Sequence, residues 1–168
     1  MKHSMVVMGV SGCGKSSLGS SLADTLGTRF VEGDAHHGES NLCKMRSGIA
    51  LTDEDREGWL AALAVELAKP PLPVVLTCSS LKRRYRDRLR AASPGLRFVF
   101  MDIERDEALQ RVASRGAAHF FSTDLVDNQF ATLERPDGES GVLRVDATAP
   151  LPVLTAEVIA WLASEDKA

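Results

Sequence analysis

The stretch Gly9-Val10-Ser11-Gly12-Cys13-Gly14-Lys15-Ser16 constrains this chain more than any other. It fits the pattern G-x-x-x-x-G-K-[ST] in full and follows the apolar run Met5-Val6-Val7-Met8. A glycine-rich turn of this kind aims consecutive backbone N–H groups at phosphate oxygens, and the helix after it adds its positive N-terminal end. Lys15 is placed to reach the outer phosphates, and Ser16 to offer its hydroxyl to magnesium. The alternative is a chance glycine turn between a strand and a helix. The surroundings oppose chance: Leu18, Leu22 and Leu26 recur at helical spacing, and Gly27 stands where a C-cap belongs. A nucleotide site is expected here, formed by Gly9, Val10, Ser11, Gly12, Cys13, Gly14, Lys15, Ser16 and Ser17.

Strand-like apolar runs alternate with helix-like segments along the rest of the chain, the pattern of an α/β fold with a parallel sheet and helices on both faces. Five strands are expected, at Met5 to Gly9, Arg29 to Gly33, Val74 to Cys78, Leu96 to Asp102 and Val142 to Asp146. Thr52 followed by Asp55 marks a helix start, after which Trp59, Leu60, Leu63, Ala64 and Leu67 form one apolar face that ends before Pro70 and Pro71. Ala108, Leu109 and Val112 indicate another helix, and Val153, Leu154, Val158, Ile159, Trp161 and Leu162 a last one. Two polar, irregular stretches remain, Gly33 to Asp53 and Gly116 to Asp124. Loops at the carboxyl ends of such strands surround the ligand crevice, so both are candidate site elements.

With 168 residues the chain is expected to form one domain, residues 1–168. A formal net charge of -3 gives no global attraction to nucleic acid. Cys13, Cys43 and Cys78 are odd in number and widely spaced, which indicates neither a disulfide framework nor a zinc site. No run approaches membrane-spanning length and nothing resembles a signal peptide, so a cytoplasmic protein is expected, with no membrane partner.

The second strand ends in Glu32-Gly33-Asp34, followed by His36 and His37. Gly33 would let the backbone turn into the crevice beside the phosphate loop, where an acceptor would sit. Asp34 is the candidate to take the proton of an attacking hydroxyl, against the plainer reading of a helix cap. His37 is a candidate hydrogen-bonding partner of the substrate.

Taken together, several blocks resemble the gluconate kinase (gluconokinase) family of P-loop sugar-acid kinases: GVSGCGKS at Gly9 to Ser16, EGDAHH at Glu32 to His37, N-x-x-K-M at Asn41 to Met45, and LTDEDR at Leu51 to Arg56 followed by Trp59-Leu60. CSSLKRRYRDRLR at Cys78 to Arg90, and HFF followed by QFATLE between His119 and Glu134, complete the match. The resemblance implies a P-loop kinase-like fold similar to shikimate and nucleoside monophosphate kinases. It also implies ATP and Mg2+ as cofactors, phosphorylation of D-gluconate at its 6-hydroxyl, and a homodimer. The alternatives are a related kinase acting on shikimate or a nucleotide and, from another class, a nucleotide-binding regulator without a substrate of its own.

Under this resemblance Arg56 and Lys82 are the expected anchors of the substrate's carboxylate or hydroxyls, an anion needing a planar or point cation. The plainer reading pairs Arg56 with Asp53 or Glu57 on a helix surface. The segment Lys82 to Arg90 holds six Lys or Arg residues in nine positions. Helical spacing turns Leu81, Tyr85 and Leu89 to the core and sets Lys82 and Arg86 one turn apart, where both could serve the anionic substrate. Arg111 and Arg115 share a face just before residues 116–124, which the resemblance makes a lid over ATP. Arg115 is the expected catalytic arginine, Arg111 a nucleotide contact and His119 a lid or substrate contact. Gly38, Ala50 and Gly58 stand where the family often has proline, and Cys13 where it often has a small hydroxyl residue.

Overall fold

The computed structural model describes residues 1–114 and 123–165. Five strands, β1 (Met5–Met8), β2 (Arg29–Glu32), β3 (Val74–Thr77), β4 (Arg97–Asp102) and β5 (Val142–Asp146), pair in parallel in the order β2-β3-β1-β4-β5. Each agrees with its expected range to within a residue at either end. Alternation along the strands explains how one short sheet supports two cores. Met5, Val7, Val75, Val99 and Met101 face one side, and Val6, Met8, Val74, Leu76, Phe98 and Phe100 the other.

The first side is covered by helices α1 (Lys15–Leu26), α5 (Arg105–Ser114), α6 (Thr123–Thr132) and α7 (Leu151–Glu165), through residues such as Leu18, Leu22, Val112, Val126 and Leu154. Helices α3 (Asp53–Ala68) and α4 (Arg83–Ala92) cover the other, with Trp59, Leu60, Leu63 and Leu67 meeting Tyr85 and Leu89. The α3 start is a capping box. The Thr52 side chain accepts from the Asp55 N–H, and the Asp55 carboxylate accepts from the Thr52 N–H. Within α7, Leu154, Val158 and Leu162 are buried, whereas Val153 is exposed.

The two stretches expected to be irregular contain helices. Between Gly33 and Asp53 the chain makes a 3-10 turn at Gly33–His36 and then α2 (Glu39–Arg46), and α6 begins at Thr123. Helix α2 buries only Asn41 and Met45, one of them polar, and α6 only the adjacent Leu125 and Val126, so neither presents buried apolar residues at helical spacing. Gly33 also serves differently from expectation. Its φ is not positive, but a Cβ there would lie 1.9 Å from the carbonyl oxygen of Thr77. Close approach of β2 to β3, rather than a special backbone angle, is what requires glycine.

Candidate active site

The phosphate loop leaves β1 at the centre of the sheet and turns through Gly9, Gly12 and Gly14, with φ values of 144°, 85° and 99°. Only glycine adopts these angles without strain. Gly9 also has no room for a side chain, since a Cβ would lie 2.8 Å from Cys13 Sγ and 2.9 Å from the Met101 carbonyl oxygen. Cys13 is fully buried and packs under the loop as a small residue. Gly14 caps α1 with no side chain, so the first-turn amides meet no side-chain acceptor from the cap. That arrangement suits an anion. Lys15 curls over the loop and donates to the Val10 carbonyl at 3.1 Å. Ser16 and Ser17 stand exposed in the first turn.

Beyond the loop lies a cleft with about 510 Å³ of open space, lined among others by Ser11, Lys15, Asp34, His37, Arg56 and Gln129. Asp34 comes from the 3-10 turn after β2. Protein crowds its carboxyl on the inner sides, so burial raises its pKa; the Lys15 charge opposes this and Glu32 adds to it. Its side chain nonetheless keeps 49% exposure, because one side opens to solvent. Trp59 fixes the turn from α3, donating its indole N–H to the Gly33 carbonyl at 2.8 Å. The same indole stacks on His37, with ring centroids 4.3 Å apart and planes 17° apart. Burial, with Arg56 nearby, lowers the His37 pKa to about 4, so the ring is neutral near pH 7.

Arg56 is buried and donates through one guanidinium nitrogen to the Leu51 carbonyl at 2.6 Å. No carboxylate pairs with it among the described residues. The plainer expectation of an ion pair with Asp53 or Glu57 therefore does not hold. A guanidinium with one backbone acceptor, set into a cleft wall, retains N–H donors for an anionic ligand.

The structure separates two other expected anchors from the cleft. Lys82 does not line it; its ammonium lies 3.0 Å from Asp53 Oδ1. Asp53 also accepts from Tyr85 and pairs with Arg84, and these hydrogen bonds, Tyr85's foremost, hold its carboxyl far below the usual range. Lys82 and Arg56 both approach the Tyr85 ring, at 5.9 and 5.7 Å from its centroid, but Lys82 is held by Asp53. Arg86 requires a firmer correction. Its side chain is fully buried, 2.5 Å from Glu139 and donating at 2.8 Å to the Ser80 carbonyl. A substrate could reach it only by dismantling that contact. Arg90 completes the same cluster at 2.7 Å from Glu139.

Arg111 donates to Glu107 at 2.9 Å and to the Ala147 carbonyl at 3.2 Å, tying the end of α5 to the loop after β5. Arg115, His119 and residues 116–122 of the expected lid lie outside the described residues.

Several cleft residues carried no assignment from sequence. Trp59 reads as core and Ser79 follows β3, while Asn41, inside the N-x-x-K-M block, lies behind the cleft against His37. Asn128 and Gln129 come from α6, and the Gln129 side-chain oxygen accepts the Ser11 N–H at 2.7 Å. The QFATLE block was the only sequence signal for Gln129, and it names no partner.

Comparisons with known proteins agree with this geometry. A family model described as an AAA domain matches residues 5–136. The chain is 41% identical to the gluconokinase of Gluconobacter oxydans (strain 621H), over 96% of this chain and 92% of that protein. It is 40% identical to the thermoresistant gluconokinase of Escherichia coli (strain K12), over 94% and 91%. A crystal structure of a gluconokinase from Sinorhizobium meliloti 1021 superposes with a TM-score of 0.89 at 46% identity, covering 97% of this chain and 93% of that one. Shikimate kinase from Aquifex aeolicus, at 15% identity and a TM-score of 0.58, shares the fold. The phosphate loop, the parallel sheet around it and identity near 40% across most of the chain place this protein in the gluconokinase family of P-loop kinases.

Proposed function

We propose that the protein transfers the γ-phosphoryl group of ATP to the 6-hydroxyl of D-gluconate, giving 6-phospho-D-gluconate and ADP. The observation that carries this reading is the convergence of Lys15, Asp34 and Arg56 on one cleft. A phosphate cradle, a carboxylate beside it and a buried cation with free donors are what transfer to an anionic polyol requires.

The phosphate loop amides and Lys15 bind the triphosphate, Lys15 exchanging its present Val10 contact for phosphate oxygens. Asp34 receives the hydroxyl proton, its raised pKa bringing its basicity closer to neutral pH. Arg56 anchors the carboxylate, and His37 with the α6 amides Asn128 and Gln129 offers hydrogen bonds to the polyol. Arg115 is the proposed partner of the transferred phosphoryl group, Arg111 a nucleotide contact, and His119 a lid contact. Ser16, with an exposed hydroxyl next to Lys15, fits a magnesium site. No group of three or more His, Cys, Asp or Glu residues that could hold a metal occurs among the described residues, which suits an ion that takes most of its ligands from phosphate and water. When bound, magnesium supplies charge neutralisation on the phosphates.

Release of ADP should be saturable in gluconate and near background with shikimate or nucleoside monophosphates. Asp34→Ala should reduce kcat by about 10²- to 10⁴-fold while ATP binding persists; near-normal turnover would remove the proposed base. A cytoplasmic homodimer of single-domain subunits completes the proposal. For the described residues, no helix is long and apolar enough to cross a membrane.

A further inference from the structure

The side of the cleft facing Asp34 holds a polar relay whose direction is fixed by one backbone atom. Asn41 Nδ2 lies 2.8 Å from the Asp55 carbonyl oxygen and 3.2 Å from His37 Nδ1. A carbonyl oxygen can only accept, so the Asn41 atom facing it must be the amide nitrogen. That nitrogen cannot accept, so the contact to His37 Nδ1 requires Nδ1 to be the acceptor. In a neutral imidazole the single ring proton then sits on Nε2. Nε2 lies 4.0 Å from Asp34 Oδ1, too far for a direct hydrogen bond, and the His37 side chain is 3% exposed.

We propose that Asn41 is a positioning residue that locks His37 with its proton on Nε2, so that Nε2–H and the Asp34 carboxylate form a donor-and-acceptor pair reading one hydroxyl of the acceptor. A hydroxyl oxygen about 2.8 Å from each atom spans the gap, accepting from Nε2–H while donating to Asp34. A ligand carbonyl at that point would set an acceptor against the carboxylate, and a deoxy carbon would leave both groups unpaired. The pair therefore selects a hydroxyl over either. The rigidity needed for such selection comes from the Trp59 stack on one face of the ring and the Trp59 bond to Gly33. Lys44 adds to it by clamping Asp55, the residue that orients Asn41, at 2.7 Å. Selection among polyols rests on the kinase reading above, but the proton's position does not.

Two-bond 1H–15N spectra of the ligand-free protein, labelled at histidine, test the lock directly at pH 7.5. The expected His37 signal is a single neutral tautomer with the proton on Nε2; a proton on Nδ1 would overturn the proposal whatever the substrate is. Asn41→Ala should lose the single tautomer, and Asn41→Asp should draw the proton to Nδ1. Both should raise the KM for gluconate about tenfold, the effect of one lost hydrogen bond, with the KM for ATP unmoved. Retention of the Nε2–H signal and of the gluconate KM in Asn41→Ala would sink the idea. If the Asn41 variants do not fold, His37→Gln and His37→Asn decide. A glutamine amide nitrogen can stand where Nε2 stands, so His37→Gln should keep more gluconate affinity than His37→Asn, and equal losses would refute the assigned donor. A correct tautomer without gluconate activity would discard the kinase reading and leave the lock in place.

Discussion

The basic run of α4 and the lone Arg56 of α3, which meet at the Tyr85 ring through Lys82, Arg84 and Arg56, have opposite fates. Helix α4 and the residue before it carry six cations between Lys82 and Arg90, the densest basic run of the chain. The four whose pairings bear on the site are spent on carboxylates: Lys82 and Arg84 on Asp53, Arg86 and Arg90 on Glu139. Arg56, a single cation on α3, is buried beside the cleft with one backbone acceptor. Charge density therefore does not point to the cation that keeps unpaired donors in the cleft wall. What distinguishes Arg56 is that it lines the cleft and has no carboxylate partner among the described residues, so it keeps N–H donors there. The Arg86 cluster has a structural role: it holds the Ser80 and Leu81 carbonyls just after Ser79, whose own carbonyl accepts from Gly9 at the start of the phosphate loop.

Replacing each arginine by methionine tests the contrast in both directions. Arg86→Met removes one partner of a buried pair and should cost about 3–5 kcal/mol of stability, measured by urea unfolding. The folded fraction should keep a near-normal gluconate KM; a large rise in KM with intact stability would restore Arg86 as a substrate contact. Arg56→Met should do the reverse. Its gluconate KM should rise by about 2–3 kcal/mol, on the order of 100-fold, the worth of a charge-assisted contact. Stability should hold or improve, because a buried cation without a carboxylate partner is replaced by an apolar chain.

Acid should separate the two regions as well. His37 has a folded pKa of about 4 against an ordinary 6.5, so between these values the unfolded chain binds more protons and stability falls as pH drops through that window. Glu139 is different. Burial works against its ionisation, but hydrogen bonds from Arg86 and Arg90 outweigh it, so its pKa lies below 4.5 and its contribution is lost only as pH falls past that value. Asp34, with a raised pKa, acts with the opposite sign to His37. The comparison to make is therefore of wild type with His37→Gln, whose stability should decline less between pH 6.5 and 4. Parallel curves would show that His37 is not held neutral. The smallest effect belongs to Lys82→Met, a partly exposed pair whose loss should leave the gluconate KM within about threefold of wild type.

The strands were legible because short continuous apolar runs are local, and α1, α3, α5 and α7 because their buried faces repeat every three or four residues. Helices α2 and α6 were not: α2 buries one apolar residue beside a polar one and α6 two adjacent residues, so neither shows the i, i+4 apolar pair that α5 shows in Ala108 and Val112. In the cleft, the phosphate loop and Asp34 could be read from a motif and its distance from a strand end. Gln129 could not, since it meets Ser11 from 118 residues away. Trp59 was read as core, and it is buried as expected; its second duty, stacking on His37, depends on how the turn after β2 folds against α3.

By itself, the order of residues determined the phosphate loop, the parallel sheet and the presence of an acid beside the loop, because glycine conformations and side-chain periodicity are properties of neighbours along the chain. Which cation faces the cleft, and which way the His37 proton points, were decided only in three dimensions. A charged or hydrogen-bonding group is defined by its partner. Asp53 for Lys82, Glu139 for Arg86 and Asn41 with the Asp55 carbonyl for His37 become partners only when separate segments fold together.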